Sequence, residues 1–263
     1  MLVPDVDCRN ADKEYDKIKN SEKVTKFLDE QKEFLEEISK AAGENISKLG
    51  DADSLYQALT IESRDFDYWW SHLWTKEEQT KIMEQIKVIA DFDYETQWSS
   101  KTIQKLRSGI LIEEIYNNFK HFIDGISNNR FYHYSAHDIT VAPMLHLLGS
   151  FNDKVVPFGS TIIFELHQQN DGQKNYFAKI YYLNETYAGN PHLLKIGICN
   201  GQTQCSYDEF HKNIQEFFIK EFDDECDNKL ESESDNGTLL NGKSSWILIL
   251  MLFTIIKLNI IKF

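Results

Sequence analysis

Arginine is scarce in this 263-residue chain: Arg9, Arg64, Arg107 and Arg130 are the only four, and no two lie within a few residues of each other. Basic charge is short overall, with 28 Lys and Arg against 42 Asp and Glu and a formal net charge of -14. A general nucleic-acid binder is excluded on that balance, because a polyphosphate backbone would be repelled and no local basic patch offsets the field. The amino end, "MLVPDVDCRNADKEYDKIKN", lacks a basic stretch followed by an apolar run, so it does not read as a secretory signal. The cysteines lack C-x2-C spacing and have no histidine pair nearby, which disfavours a zinc site. No internal repeat is present, and low complexity is confined to an acidic stretch near the carboxyl end.

What is there is globular in composition, with 41% hydrophobic and 13% aromatic residues, enough to bury a substantial core. Four cysteines, Cys8, Cys199, Cys205 and Cys226, form an even set, and Cys199 and Cys205 bracket a short polar segment as a small disulfide loop would. Asn45, Asn184 and Asn236 each open an N-x-S/T acceptor, which points toward the secretory pathway. Residues 229–245 make an acidic polar stalk, and 246–263 end in "WILILMLFTIIKLNIIKF", short for a full bilayer span but fit for a membrane anchor, transmembrane or lipid-exchanged. Front and back therefore disagree: either the chain is a tail-anchored cytosolic protein with reduced cysteines, or its true beginning lies upstream.

Residues 21–40 carry Val24, Phe27, Leu28, Phe34, Leu35 and Ile38 at helical spacing among charges, predicting an amphipathic helix. Thr75 and Glu78 form a capping box ahead of Ile82, Ile86 and Ile89. A third helix is predicted from about Ser100 to Phe122. The aromatic run "SRDFDYWWSHLW" between the first two reads as core and helix-edge packing. After Asn129 the texture changes: "RFYHYSA", "GSTIIFELHQ" and "NYFAKIYYLN" predict strands, the last two joined as a hairpin, and the first followed by a helix "DITVAPMLHLLG". The layout predicts an α/β protein with a large helical section before its last strands.

His137 and Asp138 stand where the first of these strands would hand over to its helix. At such a junction side chains face the ligand crevice, and the helix N-terminus favours an anion. Ordinary roles compete for both. Asp138 or Thr140 would serve as a helix cap, and His137 as a satisfied structural histidine. His133 and His137, four apart, would need a helix to ligate a metal together, and this segment reads as strand.

"YSAHDITVAPMLHLLG" resembles the second signature of the histidine acid phosphatases of prostatic and lysosomal type. "GSTIIFEL" with "YFAKIYYLNET" resembles that family's closing hairpin, and "RSGILIEEI" the helix leading to the His-Asp segment. The resemblance spans about residues 1–228. It implies a mixed α/β sandwich with a helical cap, here N-terminally truncated, with residues 10–125 mainly cap and helices and 130–185 holding the remaining strands and the His-Asp site. It pairs Cys199 with Cys205 and Cys8 with Cys226; a third bridge of the family has no cysteines here. The implied reaction is phosphomonoester hydrolysis through a phosphohistidine. Asp138 would be the proton donor to the leaving alkoxide, and His137 would hydrogen-bond the phosphoryl oxygens. No cofactor or metal is implied.

The family's nucleophile and arginine clamp come from an R-H-G-x-R-x-P motif, and none of the eight histidines here has an arginine on its N-terminal side. The scarce arginine now acquires a meaning, since forked, charge-assisted donors are what hold a phosphate dianion. The leading expectation is the C-terminal portion of an acid phosphatase, membrane-anchored, lumenal or extracellular, acting on small phosphomonoesters, inactive alone and dimeric by resemblance. The alternative from another class is a non-catalytic paralogue serving as a membrane-anchored binding glycoprotein. A tail-anchored cytosolic protein with a coincidental His-Asp pair ranks last.

Overall fold

Three long helices begin at polar residues that cap them. A computed structural model describes residues 6–65, 73–169, 175–184 and 189–227. Within these, α1 (Arg9–Lys19) leads to α2 (Glu22–Ala42), which starts where Ser21 Oγ accepts from the Val24 N–H and stops at Gly43, whose φ of 71° only glycine adopts without strain. α3 (Leu49–Asp65) precedes α4 (Lys76–Gln97). The predicted capping box opens α4: Glu78 N–H donates to Thr75 Oγ1 (3.3 Å) and Thr75 N–H to Glu78 Oε2 (2.7 Å). α5 (Lys101–Ile123) starts at Ser100.

The isoleucine stripe of α4 explains how these helices meet. Ile86 and Ile89 are wholly buried, packed with Val24, Leu35 and Ile38 of α2 and Ala52 and Leu59 of α3. Phe27 stacks on Phe92 with ring centroids 3.8 Å apart. Burying each of these large side chains contributes about 1.5–3 kcal/mol.

A second core lies under the sheet. α6 (Asp138–Leu147) packs on α5, and β1 (Thr161–Gln168) pairs antiparallel with β2 (Tyr176–Leu183) from Thr161↔Leu183 to Gln168↔Tyr176. The short β3 (His192–Leu193) and β4 (Cys205–Ser206) both pair with β2, so β1 is an edge strand with no second neighbour among the described residues. α7 (Tyr207–Ile214) closes this core, in which Ile112, Leu148, Ile180, Phe210 and Ile214 are fully buried. Gly109 lets α5 approach the chain at Phe217, because a Cβ there would sit 2.1 Å from the Phe217 carbonyl oxygen.

Two disulfides brace the chain, one closing a local loop and one joining its two ends. Cys199 bonds Cys205 across a tight loop, and Cys8, ahead of α1, bonds Cys226, just after α8 (Phe222–Glu225). Arg107 draws the same corner together, donating to the Val6 carbonyl and pairing with Asp12.

The predicted hairpin forms, but "RFYHYSA" is not a strand. Residues 128–137 carry no ladder, and Phe131 is 82% exposed. Strand propensity reflects fit to a pleated, half-buried surface, and no neighbouring strand is present among the described residues to supply one. The helix expected after it is in place, so only the second half of the β-then-α unit is realised. The aromatic residues 66–72, most of the hairpin loop, the stalk and the 246–263 tail lie outside the described residues. Among the described residues no helix is long and apolar enough to cross a membrane.

Candidate active site

The first turn of α6 holds the two residues singled out by sequence in unlike surroundings. His137 is the N-cap, with extended backbone (φ -120°, ψ 165°). Its N–H donates to Thr140 Oγ1 (3.4 Å), and its carbonyl accepts from the N–H groups of Thr140 (2.9 Å) and Val141 (3.1 Å). The imidazole is left exposed to solvent. Asp138 is therefore not the cap but the first helical residue, and its carboxyl is partly buried. Thr140 takes part in the cap from the third helical position.

Both oxygens of Asp138 are engaged. Oδ1 accepts from the Ile139 N–H at 2.8 Å, and Oδ2 accepts from the Tyr94 phenol at 2.6 Å. Tyr94 comes from the last turns of α4 and is 2% exposed. Its carbonyl oxygen lies 3.1 Å from His146 Nε2, at the other end of α6, and the His146 ring stacks on Phe151. Burial holds the His146 imidazole below its usual range, partly countered by that carbonyl. The Tyr94 phenol is driven far above the tyrosine range, first by burial and then by its bond to the Asp138 carboxylate.

Behind Asp138 lie two further carboxyls that sequence patterns did not single out. Asp53 of α3 accepts from Gln57 Nε2 on Oδ2 (2.8 Å), while its buried Oδ1 has no partner; burial, reinforced by the charge of Asp138, pushes it up to about 6. Asp93 of α4 is 4% exposed and is pushed up to about 7 by burial and by Asp53. Tyr15 of α1 faces the same pair and is pushed up to about 12, mainly by burial. Among the described residues no Lys or Arg pairs with Asp53, Asp93 or Asp138. Carboxyls buried without a cation favour the neutral, proton-carrying form, so the wall behind Asp138 is a store of acid groups.

One sequence signal could have exposed Asp93: it continues the stripe Ile82, Ile86, Ile89, Ala90 at helical spacing, which puts a carboxylate on the buried face. Tyr94 and Asp53 carry no such local mark, because their link to Asp138 spans 44 and 85 residues of chain. His133 is exposed, and no group of three or more potential metal ligands occurs among the described residues. Of the three sequons, Asn45 is exposed in the turn between α2 and α3, with its amide donating to Ser47 Oγ. Asn184 is partly buried just past β2, with its Oδ1 buried and unpartnered, and Asn236 lies outside the described residues.

A mixed α/β chain of helices and a small antiparallel sheet is consistent with the histidine phosphatase fold. The chain belongs to the histidine phosphatase superfamily (branch 2), whose family model matches residues 3–183. It is similar to the prostatic acid phosphatase of Rattus norvegicus, 27% identical over 231 residues, covering 86% of this chain and 58% of that protein. It is also similar to the putative acid phosphatase 5 of Caenorhabditis elegans, 25% identical over 155 residues, covering 58% of this chain and 36% of that protein. The lysosomal acid phosphatase of Xenopus laevis is 26% identical over 152 residues, covering 56% and 34% respectively. The chain thus spans between about a third and about six tenths of the length of these curated relatives.

Proposed function

We propose that this chain supplies the proton-donating wall of a phosphomonoesterase site, with small phosphomonoesters as substrates. Asp138 is the general acid that protonates the departing alkoxide, and His137 donates to the phosphoryl oxygens. The observation that carries this reading is the doubly hydrogen-bonded Asp138 carboxyl beside an exposed imidazole on the first turn of one helix. An alkoxide is a poor leaving group, and a positioned acid contributes about 100- to 10,000-fold. In this reading the phosphohistidine nucleophile and the arginine clamp are supplied from outside the described residues, among which β1 has no second neighbour and 128–137 carries no ladder. The two disulfides and the exposed Asn45 sequon support a lumenal, lysosomal or extracellular setting, with the 246–263 tail as anchor and a homodimer as the assembled form.

The test is hydrolysis of p-nitrophenyl phosphate and of an alkyl monoester at acidic pH. The chain alone is expected to match its Asp138→Ala version. Joined behind the N-terminal part of rat prostatic acid phosphatase, it is expected to turn over both esters, and Asp138→Asn should impair the alkyl ester far more than the nitrophenyl ester, whose leaving group needs no proton. Asp138-dependent turnover by the chain alone, or no turnover by the joined form, overturns the proposal. The second reading, a binding glycoprotein without turnover, is favoured by the scarcity of arginine, four residues in the chain, for clamping a phosphate, and it predicts an inactive joined form.

A further inference from the structure

We infer that Tyr94 is a positioning residue for the general acid: through its phenol it holds the Asp138 carboxyl, and through its main chain it holds the helix that carries that carboxyl. The inference rests on the phosphatase reading for its catalytic meaning, and on geometry for the rest. A single residue of α4 reaches both ends of α6, donating from Oη to Asp138 Oδ2 at 2.6 Å and offering its carbonyl to His146 Nε2 at 3.1 Å. With Ile139 N–H on Oδ1, the carboxyl has no free rotation left about its last bond.

The chemistry follows from what a phenol does to a carboxyl. A hydrogen bond donated to a carboxylate is charge-assisted and stronger than one donated to the neutral acid. As Asp138 passes its proton to the alkoxide, the O–H bond of the acid breaks, the alcohol's O–H bond forms, and negative charge appears on the carboxyl that Tyr94 already touches. The interaction therefore strengthens along the reaction, which is what a contribution to rate requires. From α3, the Asp53 carboxyl lies within electrostatic reach of Asp138, whose charge adds to burial in raising it. Asp93, next to Tyr94 in α4, Tyr15 of α1 with its neighbour Asp16, and His146 at the far end of α6 are further titratable groups around this contact.

The test uses the whole chain labelled with ¹³Cζ-tyrosine and titrated by NMR, with the Tyr94 signal identified by its loss in Tyr94→Phe. The expected result is a step in the Tyr94 Cζ shift on acidification that disappears in Asp138→Asn and survives in Asp53→Asn. At the alkaline end, Asp138→Asn should bring the ionisation of Tyr94 to lower pH while leaving exposed tyrosines unchanged. A flat acid response, or a step that survives Asp138→Asn and vanishes in Asp53→Asn, overturns the inference. A merely structural tyrosine would change thermal stability without any step tied to position 138. Because no turnover is read, failure of the phosphatase reading would show separately, as an inactive joined form.

Discussion

The peptide bond between His137 and Asp138 divides the molecule into two unlike sides. On the Asp138 side lie buried Tyr94 and Asp93 and partly buried Asp53, held by helices packed through apolar cores. On the His137 side most of the chain from 128 to 137 is exposed, Phe131 at 82%, and Tyr134 alone turns in to pack on the second core. Adjacent residues thus sit at the boundary between a finished wall and an open one. A proton donor needs a fixed environment to set when it holds its proton, whereas a group that meets substrate needs access.

Substitutions should expose that asymmetry. The largest effect is expected on the finished side: Ile89→Ala removes a wholly buried side chain from the α2–α4 core and should cost about 2–5 kcal/mol, measured by denaturant unfolding. Next comes Asp93→Asn, where the effect depends on pH. The folded-state values of Asp93 and Asp53, about 7 and about 6, lie above the ordinary carboxylate value of 3.8, so the native state binds more protons than the unfolded one between those limits. Stability therefore falls as pH rises from about 4 to about 7 and levels off above. Asp93→Asn should flatten that fall, leaving the melting temperature unchanged near pH 4 and raising it by several degrees near pH 8, a difference on the order of a few kcal/mol. An unchanged melting profile would mean that the carboxyl is satisfied in some other way.

Tyr94→Phe should cost less, about 1–2 kcal/mol by thermal unfolding, because one hydrogen bond to a carboxylate is lost while the ring still fills its place. Phe131→Ser, on the open side, should change stability by less than about 0.5 kcal/mol while reducing self-association in sedimentation. If Phe131→Ser proved as damaging as Ile89→Ala, the two sides would not differ in the way described.

The helices that sequence revealed are those whose apolar stripe is regular. Val24 to Ile38 announces α2, and Thr75 with Glu78 marks the start of α4 to the residue. The hairpin is equally legible, because alternation and its polar loop are local signals. α1 and α3 are less so: one is dense with charge, and the other carries Gly50, Asp51, Asp53 and Ser54 in its opening turns. The run at 131–136 misleads for the opposite reason, since its aromatic content is strand-like but a ladder requires a second chain segment that no local pattern contains. The site divides the same way. His137 and Asp138 form a contiguous motif; Tyr94 and Asp53 become neighbours of Asp138 only when α3 and α4 dock beside α6, which depends on long-range packing.

The bond from Cys8 to Cys226 closes the polypeptide into a covalent ring across a sequence separation of 218, with its two exits at one point, the Cα atoms 4.6 Å apart. Tension applied between those exits would run straight through sulfur and never enter the helices or the sheet. Whatever hangs from one strand of that knot can be tugged, swung or cut while His137 and Asp138 keep their places.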